Sequence, residues 1–161
     1  MSDQKSGLVP GIVVGLVAML IGAAIYGAII GITKYEIGIA TVGVGVLVGL
    51  GIMAVKPTSP VLPPLAAVFG LAGAALGQLV GTTILLVQLA QEAGETIGYG
   101  TAAATVFPEF GSIISEDPKS LLFWAIGAAA AYSFVNKRVK AANTPATPAP
   151  ADPTPATPPQ T

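Results

Sequence analysis

The sequence predicts an all-α membrane protein: a four-helix transmembrane bundle with Gly/Ala-rich packing faces and a disordered proline-rich tail. Three observations predict this class. Apolar residues make up 53% of the 161-residue chain and charged residues only 9%, whereas about 25% charged residues is typical of soluble domains. The charges are bunched, so that four long stretches carry none, and the end of the chain is almost wholly Pro, Ala and Thr.

The composition also excludes several classes of function. The chain contains no cysteine and no histidine, which excludes disulfides, thiolate chemistry, imidazole metal ligands and the commonest general base. The net charge of -1 argues against a nucleic-acid partner, because phosphate binding needs a basic face. We therefore predict no catalytic residue, no cofactor and no metal site.

The first predicted span covers residues 8–32 and follows a short cytoplasmic N-terminal end, residues 1–7. Its length is sufficient, since about 20 residues cross the hydrocarbon core. Lys5 precedes the run, which leaves a cleaved signal peptide as an alternative. The apolar core of a signal peptide is only about 7–15 residues long, so a retained helix is favoured.

The second span covers residues 37–55 and the third covers residues 63–91. A polar turn, residues 33–36, connects the first two spans, and Lys56-Pro57 ends the second. Prolines open the third span, which suits the first turn of a helix because the N–H missing there has no intrahelical partner. The third span exceeds what the bilayer needs, so we expect it to tilt or to project beyond the interface.

An extramembrane segment, residues 92–119, is predicted between the third and fourth spans. Its apolar parts, 102–110 and 112–115, favour a short interfacial helix that Pro108, Gly111 and Pro118 interrupt. The segment forms either a folded cap or a loop on the headgroups. Its acids could hold a divalent cation, but their spacing matches no metal motif and a solvated acidic loop is favoured. These acids are Glu92, Glu95, Glu109, Glu116 and Asp117.

The fourth span is predicted at residues 120–136 and is short. Lys119 and Lys137 flank it, and their long side chains can reach the two interfaces. Residues 141–161 follow as a tail of Pro, Ala and Thr, which cannot bury enough apolar surface to order itself.

Basic residues near the span ends predict the orientation. Four spans place both termini on one side, together with five basic residues, against two on the other side. Basic residues are enriched in cytoplasmic loops, so we expect both termini in the cytoplasm and the acidic segment outside. A three-span chain, with the fourth run lying on the surface, would break this pattern. The first group is Lys5, Lys56, Lys137, Arg138 and Lys140, and the second is Lys34 and Lys119.

Glycines recur at helical spacing in the first three spans. Small residues let membrane helices approach closely, which supplies van der Waals contact where no hydrophobic effect drives association. The pattern is compatible with an oligomerisation face, but internal packing of one bundle is favoured because glycine is common in membrane helices. The predicted packing residues are Gly11, Gly15, Gly22, Gly38, Gly45, Gly49, Gly70, Gly73, Gly77 and Gly81.

Two polar side chains are candidates for a site. Gln78 lies near the middle of the third span and is expected to face another helix, because a bare amide in hydrocarbon is costly. A packing hydrogen bond is favoured over a transport site. Glu36 is expected in the first turn of the second span, where the helix dipole favours negative charge, and Lys34 could pair with it. Capping is favoured over a proton or cation site.

The segment IGAAIYGAIIGITKYEIGIATVGVGVLVGLG, between Leu20 and Gly51, resembles a family of uncharacterised bacterial four-helix membrane proteins. That family has an aromatic residue in its first helix, a YEIG turn and a GVG…VGLG second helix. The third span, GLAGAALGQLVG, and the region 118–132 are also similar, so the resemblance covers residues 8–137. Family members often carry an aromatic residue where this chain has Ile39. The matching residues are Tyr26, Tyr35, Glu36, Ile37, Gly38, Gly43, Val44, Gly45, Val48, Gly49, Leu50 and Gly51.

The resemblance implies a bacterial inner-membrane protein and supports the topology, but it supplies no activity. We expect a non-catalytic accessory or structural subunit that packs in a larger membrane assembly, with the lipid bilayer and other membrane subunits or further copies as partners. The alternative is a small transporter or channel-like proteolipid. Rotor-ring proteolipids need a mid-membrane carboxylate, and no Asp or Glu lies inside a predicted span. An intramembrane enzyme would need a base, and histidine is absent.

Overall fold

The described chain is built from five α-helices. The structure, a computed structural model, describes residues 2–145, with side chains from residue 7 onwards. This part contains no strand, so the all-α class predicted from the sequence is confirmed. Its helices are α1 (Ser2–Thr33), α2 (Gly38–Ala54), α3 (Leu62–Glu92), α4 (Tyr99–Glu116) and α5 (Pro118–Asn143).

Two of these helices are long and apolar enough to cross a membrane, judged by length and composition. They are Gly7–Thr33, which is most of α1, and Leu62–Glu92, while Gly38–Ala54 is a shorter apolar helix. The predicted spans 8–32 and 63–91 therefore correspond to α1 and α3. The predicted spans 37–55 and 120–136 correspond to α2 and to the middle of α5.

α5 is longer at both ends than the predicted fourth span. Asp117 is its N-cap and accepts a hydrogen bond from the Lys119 N–H at 3.1 Å, and Pro118 occupies the first turn. Pro118 was predicted to interrupt helical structure, and the structure places it at the start of α5. Proline fits there because no N–H is needed in the first turn. At the other end the helix continues to Asn143. The first residues of the predicted tail 141–161 are thus helical, and residues 146–161 lie outside the described residues.

α1 and α3 run in the same direction, and α2 runs opposite to α1. A Cβ added to Gly11 of α1 would meet Leu62 near the start of α3, and one added to Gly31 would meet Ile84 near its end. In contrast, contacts between α1 and α2 run in opposite order, since Ala18 faces Gly51 whereas the later Gly22 faces the earlier Val44. The two long helices therefore lie side by side with their carboxyl ends together.

α2 and α5 also run in the same direction. Gly38, the first residue of α2, faces Phe123 near the start of α5, and Gly49 faces Ala131 about two turns further along α5. Between these contacts the two backbones touch, because a Cβ added to Gly45 would overlap the carbonyl oxygen of Gly127. Small residues at this spacing are what membrane helices use to approach closely.

The larger of two apolar clusters in the bundle is shared by α1, α2, α3 and α5, and the smaller one joins Tyr26 and Ile30 of α1 to Val44 of α2. Members of the larger cluster come from all four helices, so none of these helices is peripheral to the packing. The buried members of the larger cluster are Ala18, Met19, Val48, Ile52, Leu62, Ala66, Ala131, Val135 and Val139.

α4 lies along the second half of α3. The start of α4 borders residues 79–84 of α3 and its end borders residues 82–89, so the two helices run in the same direction. Ala102 and Val106 are its buried residues. The predicted interruption of this segment at Pro108 and Gly111 is wrong, because α4 continues through both. Contact of its apolar face with α3 stabilises the helix despite the hydrogen bond that a proline removes.

Candidate functional site

The turn between α1 and α2 brings Glu36 to the start of α5. Lys34 adopts a left-handed conformation, with φ of 57°, and its N–H bonds to the Ile30 carbonyl at 2.8 Å, which ends α1. Ile37 is the N-cap of α2, and no acidic residue occupies the first turn of that helix. The prediction that Glu36 caps the second helix from its first turn is therefore wrong, because α2 begins two residues later.

Lys34 forms its ion pair with Glu92 at the end of α3. The predicted pairing of Lys34 with Glu36 is therefore not the one that the structure contains. The two partners are 47% and 56% exposed, and an exposed pair of this kind contributes at most about 1 kcal/mol in water. Its structural consequence is that the ends of α1 and α3 are held together, which leaves Glu36 available to α5.

Ser120 connects Glu36 with Asp117. Its hydroxyl lies 2.7 Å from Oε1 of Glu36 and 3.0 Å from Oδ2 of Asp117, and the side chain is almost fully buried. A serine hydroxyl has one proton and can donate it to one carboxylate at a time. Two carboxylates therefore compete for a single donor at this point of the bundle.

Tyr26 of α1 reaches the same region from inside the bundle. It is 1% exposed, and its hydroxyl has no hydrogen-bond partner in the structure. The charges of Glu36 and Asp117 are close enough to act on this hydroxyl. The Tyr26 ring packs against Gly77 of α3, where an added Cβ would lie 2.7 Å from a ring carbon. The small residue at Gly77 is thus what makes room for the tyrosine.

Gln78, the predicted intramembrane amide, is 1% exposed and faces the interior as expected. Its Oε1 is buried without a hydrogen-bond partner, so this oxygen does not form the packing hydrogen bond predicted for Gln78. Gly70, two helical turns earlier, packs against Ala128 of α5, and Ser120 precedes Ala128 by two turns. Because α3 and α5 run in opposite directions, this register puts Gln78 on the level of Ser120.

These side chains form one feature, which we call the polar cluster: Tyr26, Glu36, Gln78, Asp117 and Ser120. Trp124, one turn after Ser120, is also buried with an unpartnered Nε1. An unpartnered buried donor or acceptor costs about 1–3 kcal/mol. Burial of these unpartnered atoms therefore costs free energy that apolar side chains at the same positions would avoid.

Within residues 7–145 no group of three Asp or Glu side chains could hold a metal ion. The buried Ser120 hydroxyl lies beside two carboxylates and donates its one proton to either of them. What the arrangement can do is accept a proton or orient a small polar group between α1, α3 and α5.

The ten glycines predicted as packing residues all face another helix of the same chain. At each of them an added Cβ would lie within 3.5 Å of an atom from a different helix. Gly43 differs, because nothing lies within 4 Å of an added Cβ there. Internal packing thus accounts for the ten glycines, and Gly43 is open on the surface of the bundle.

The sequence interpretation missed Asp117 and Ser120 as members of the site. It places Asp117 only within an acidic segment. The signal that could have found it is Asp followed by Pro, the signature of an N-cap and a first helical position. Such a start to the fourth helix would have put Ser120 in its first turn, level with the turn that contains Glu36.

Comparisons with protein-family models, with curated proteins and with solved structures find no match to this chain.

Proposed function

We propose that the chain is a small integral membrane protein in which α1, α2, α3 and α5 cross the bilayer, and that it acts as a non-catalytic accessory or structural subunit. Each of these helices has a charge-free stretch, and their packing aligns the four stretches side by side. The observation that carries the proposal is the resulting separation of charge. Lys34, Glu36, Glu92 and Asp117 lie at one end, and Lys56 and Arg138 lie at the other.

The outer face of α1 supports contact with lipid or with a partner. Large apolar side chains along this helix are about half exposed, which is unfavourable in water and expected against hydrocarbon or another protein. They include Val9, Val13, Leu16, Val17, Leu20, Ile21 and Ile25. The proposal includes four spans, both termini in the cytoplasm and a location in the bacterial inner membrane.

An apolar groove between α1 and α2 supports the accessory role. It has a volume of about 310 Å³ and is lined by Gly22, Tyr26, Gly43 and Leu47, among others. Gly43 has no contact of its own within 4 Å of an added Cβ, so the bundle leaves a small-residue notch on its surface. A helix of another membrane subunit can approach closely at such a notch.

Co-purification in mild detergent tests the accessory role with a matched pair of variants. Gly43→Leu fills the notch, and its Cβ meets no atom of the bundle within 4 Å, so we expect normal melting and loss of the co-purifying subunit. Gly49→Leu would push into Ala131 of α5 and should lower the melting temperature. A Gly43→Leu variant that retains every co-purifying protein contradicts the proposal. Resistance of the wild type to alkaline carbonate extraction tests membrane insertion separately.

The polar cluster favours a second candidate, a small transporter that moves a proton or a small polar solute. Its support is the competition of two carboxylates for Ser120 beside the unpartnered Tyr26 and Gln78 atoms. Tyr26, Gln78 and Ser120 are buried, whereas Glu36 is exposed at the end of the bundle, and polar groups inside membrane spans are typical of transport pathways. The purified protein in liposomes would be assayed for proton and sodium flux, with Glu36→Gln and Gln78→Leu as variants. Flux that the wild type supports and either variant abolishes would replace the accessory proposal.

A further inference from the structure

A basic pocket lies at the end of the bundle opposite the polar cluster. It has a volume of about 400 Å³ and lies between the end of α2, the start of the α2–α3 loop and the last turns of α5. Two cationic side chains line it, and among the described residues no carboxylate does. Its lining residues are Lys56, Pro57, Thr58, Arg138, Ala141 and Ala142.

The walls of the basic pocket are held in place by specific contacts. Asn143 near the end of α5 donates from Nδ2 to the Thr58 carbonyl at 3.0 Å and to the Val139 carbonyl at 2.9 Å. Pro57 is fully buried, which anchors the loop next to Lys56. The pocket is therefore a defined gap between α5 and the loop.

Lys56 adopts a left-handed backbone conformation, with φ of 53°. This conformation is unfavourable for a residue with a Cβ atom, and glycine is usual at such helix ends. Lys34 is the other non-glycine residue with positive φ in the described part of the chain, and it pairs with Glu92. At Lys34 the cation thus meets an anion of the protein.

Lys56 has no corresponding anion in the described protein. The one salt bridge among the described side chains is that of Lys34. The acidic residues whose side chains are described come from the α1–α2 turn, the end of α3, the α3–α4 loop, α4 and the residue before α5, and none of them lines the basic pocket. Lys56 and Arg138 therefore face a pocket whose charge the described side chains do not balance.

We propose that the basic pocket binds the phosphate of an anionic lipid headgroup. The inference rests on the proposed membrane location, which puts this end of the bundle at the cytoplasmic leaflet, where anionic lipids concentrate. Basic pockets between membrane helices on that side suit such headgroups. Lys56 and Arg138 supply the positive charge that a phosphate group requires.

The test uses the purified full chain in neutral detergent. Melting curves are recorded with increasing dioctanoyl-phosphatidylglycerol and, separately, with the zwitterionic dioctanoyl-phosphatidylcholine. We expect stabilisation by the anionic lipid with a much lower Kd than by the zwitterionic one. Each cation near an anionic lipid is worth roughly a fivefold factor in affinity. Lys56→Gln and Arg138→Gln should therefore each raise the Kd about fivefold, and the double variant about twenty-five-fold.

Two control variants separate lipid binding from folding. Lys34→Gln removes a lysine with the same backbone conformation from the other end, and it should leave the Kd for phosphatidylglycerol unchanged. Lys56→Gly relieves the backbone, so it should raise the melting temperature of the lipid-free protein and yet weaken phosphatidylglycerol binding as Lys56→Gln does. Equal binding of both lipids, or wild-type affinity in the Lys56 and Arg138 variants, would overturn the proposal.

A third arm distinguishes a lipid headgroup from soluble phosphate. Inorganic phosphate is added to the same melting assay, and we expect no stabilisation at the lipid concentrations that saturate the protein. Stabilisation by inorganic phosphate as strong as that by phosphatidylglycerol would overturn the lipid assignment. Alkaline carbonate extraction of cell membranes reports on membrane insertion independently, so its failure identifies an error in the proposed function and not in the pocket.

Discussion

At the residue scale, the small side chain of Ser120 connects two distant segments of the chain. Its hydroxyl joins a residue of the α1–α2 turn to the first turn of α5, across 84 positions of sequence. Alone, a hydrogen bond of this kind contributes about 1 kcal/mol. Because it also meets the Asp117 carboxylate, it fixes where the two acidic side chains stand relative to each other and to Tyr26.

Ser120→Ala removes this hydroxyl and leaves Glu36 without its partner on α5. We expect a loss of about 1 kcal/mol in the free energy of unfolding, measured by thermal or denaturant unfolding in detergent. The control is Ser112→Ala on the exposed surface of α4, which should change stability by no more than about 0.5 kcal/mol. Equal effects of the two substitutions would show that the Ser120 bond does not form.

At the scale of the elements, the bundle depends on the close crossing of α2 with α5. Thr41, Gly45 and Gly49 occupy one face of α2 at intervals of four residues, and Gly127 and Ala131 do the same on α5. A Cβ added to Gly127 would lie 3.0 Å from the Thr41 carbonyl oxygen. Because backbone lies against backbone here, no neighbouring side chain can change its rotamer to make room for an added side chain.

Gly45→Ala and Gly43→Ala give opposite predictions two residues apart on the same helix. At Gly45 the new methyl group overlaps the Gly127 carbonyl, so α2 and α5 must separate, at a cost of about 1–3 kcal/mol. At Gly43 the methyl group meets nothing, and the better helix former should stabilise by up to about 1 kcal/mol. Melting temperatures in detergent test both. A Gly45→Ala variant as stable as the wild type would contradict the α2–α5 contact.

At the scale of the whole molecule, the two ends of the bundle have different chemistry. The polar cluster and the Lys34–Glu92 pair lie at one end, and the basic pocket lies at the other. α4 lies beside the second half of α3 and returns the chain to the acidic end, where α5 begins. The direction of each helix therefore determines on which side of a membrane each charged group stands.

Reporter fusions test the proposed four-span orientation. A fusion after Arg138 should report a cytoplasmic location, and a fusion at Gly100 should report the outside, because the basic end is expected in the cytoplasm. Arg138 lies near the end of α5 and Gly100 lies in the first turn of α4. Identical signals from the two sites would be incompatible with four spans.

Two truncations test where the bundle ends. Removal of everything after Pro145 deletes none of the described contacts, so we expect the melting temperature of the full chain. Removal of everything after Ala142 also deletes Asn143, which bonds to the Thr58 carbonyl, and should cost about 1 kcal/mol. If the chain that ends at Pro145 melts below the full chain, the remaining tail docks on the bundle.

The sequence by itself determined the helical class and the approximate positions of its helices. Long charge-free stretches and proline-marked starts are local signals, since they reflect hydrogen bonding and chain geometry within each segment. The helical spacing of the glycines likewise indicated faces on which helices meet. The continuity of α4 through Pro108 was not predicted, because contact with α3 outweighs the local preference of a proline.

Only the tertiary structure decided which partners those local features have. Glycine spacing does not say which faces meet: that Gly45 meets Gly127, and Gly77 meets Tyr26, follows from how the helices pack. The same holds for Glu36. Lys34, its nearest basic neighbour in sequence, pairs with Glu92, and Glu36 instead accepts a hydrogen bond from Ser120. Side-chain pairing across distant segments depends on helix direction and register, and the free energy that sets these is shared among all the contacts of the bundle.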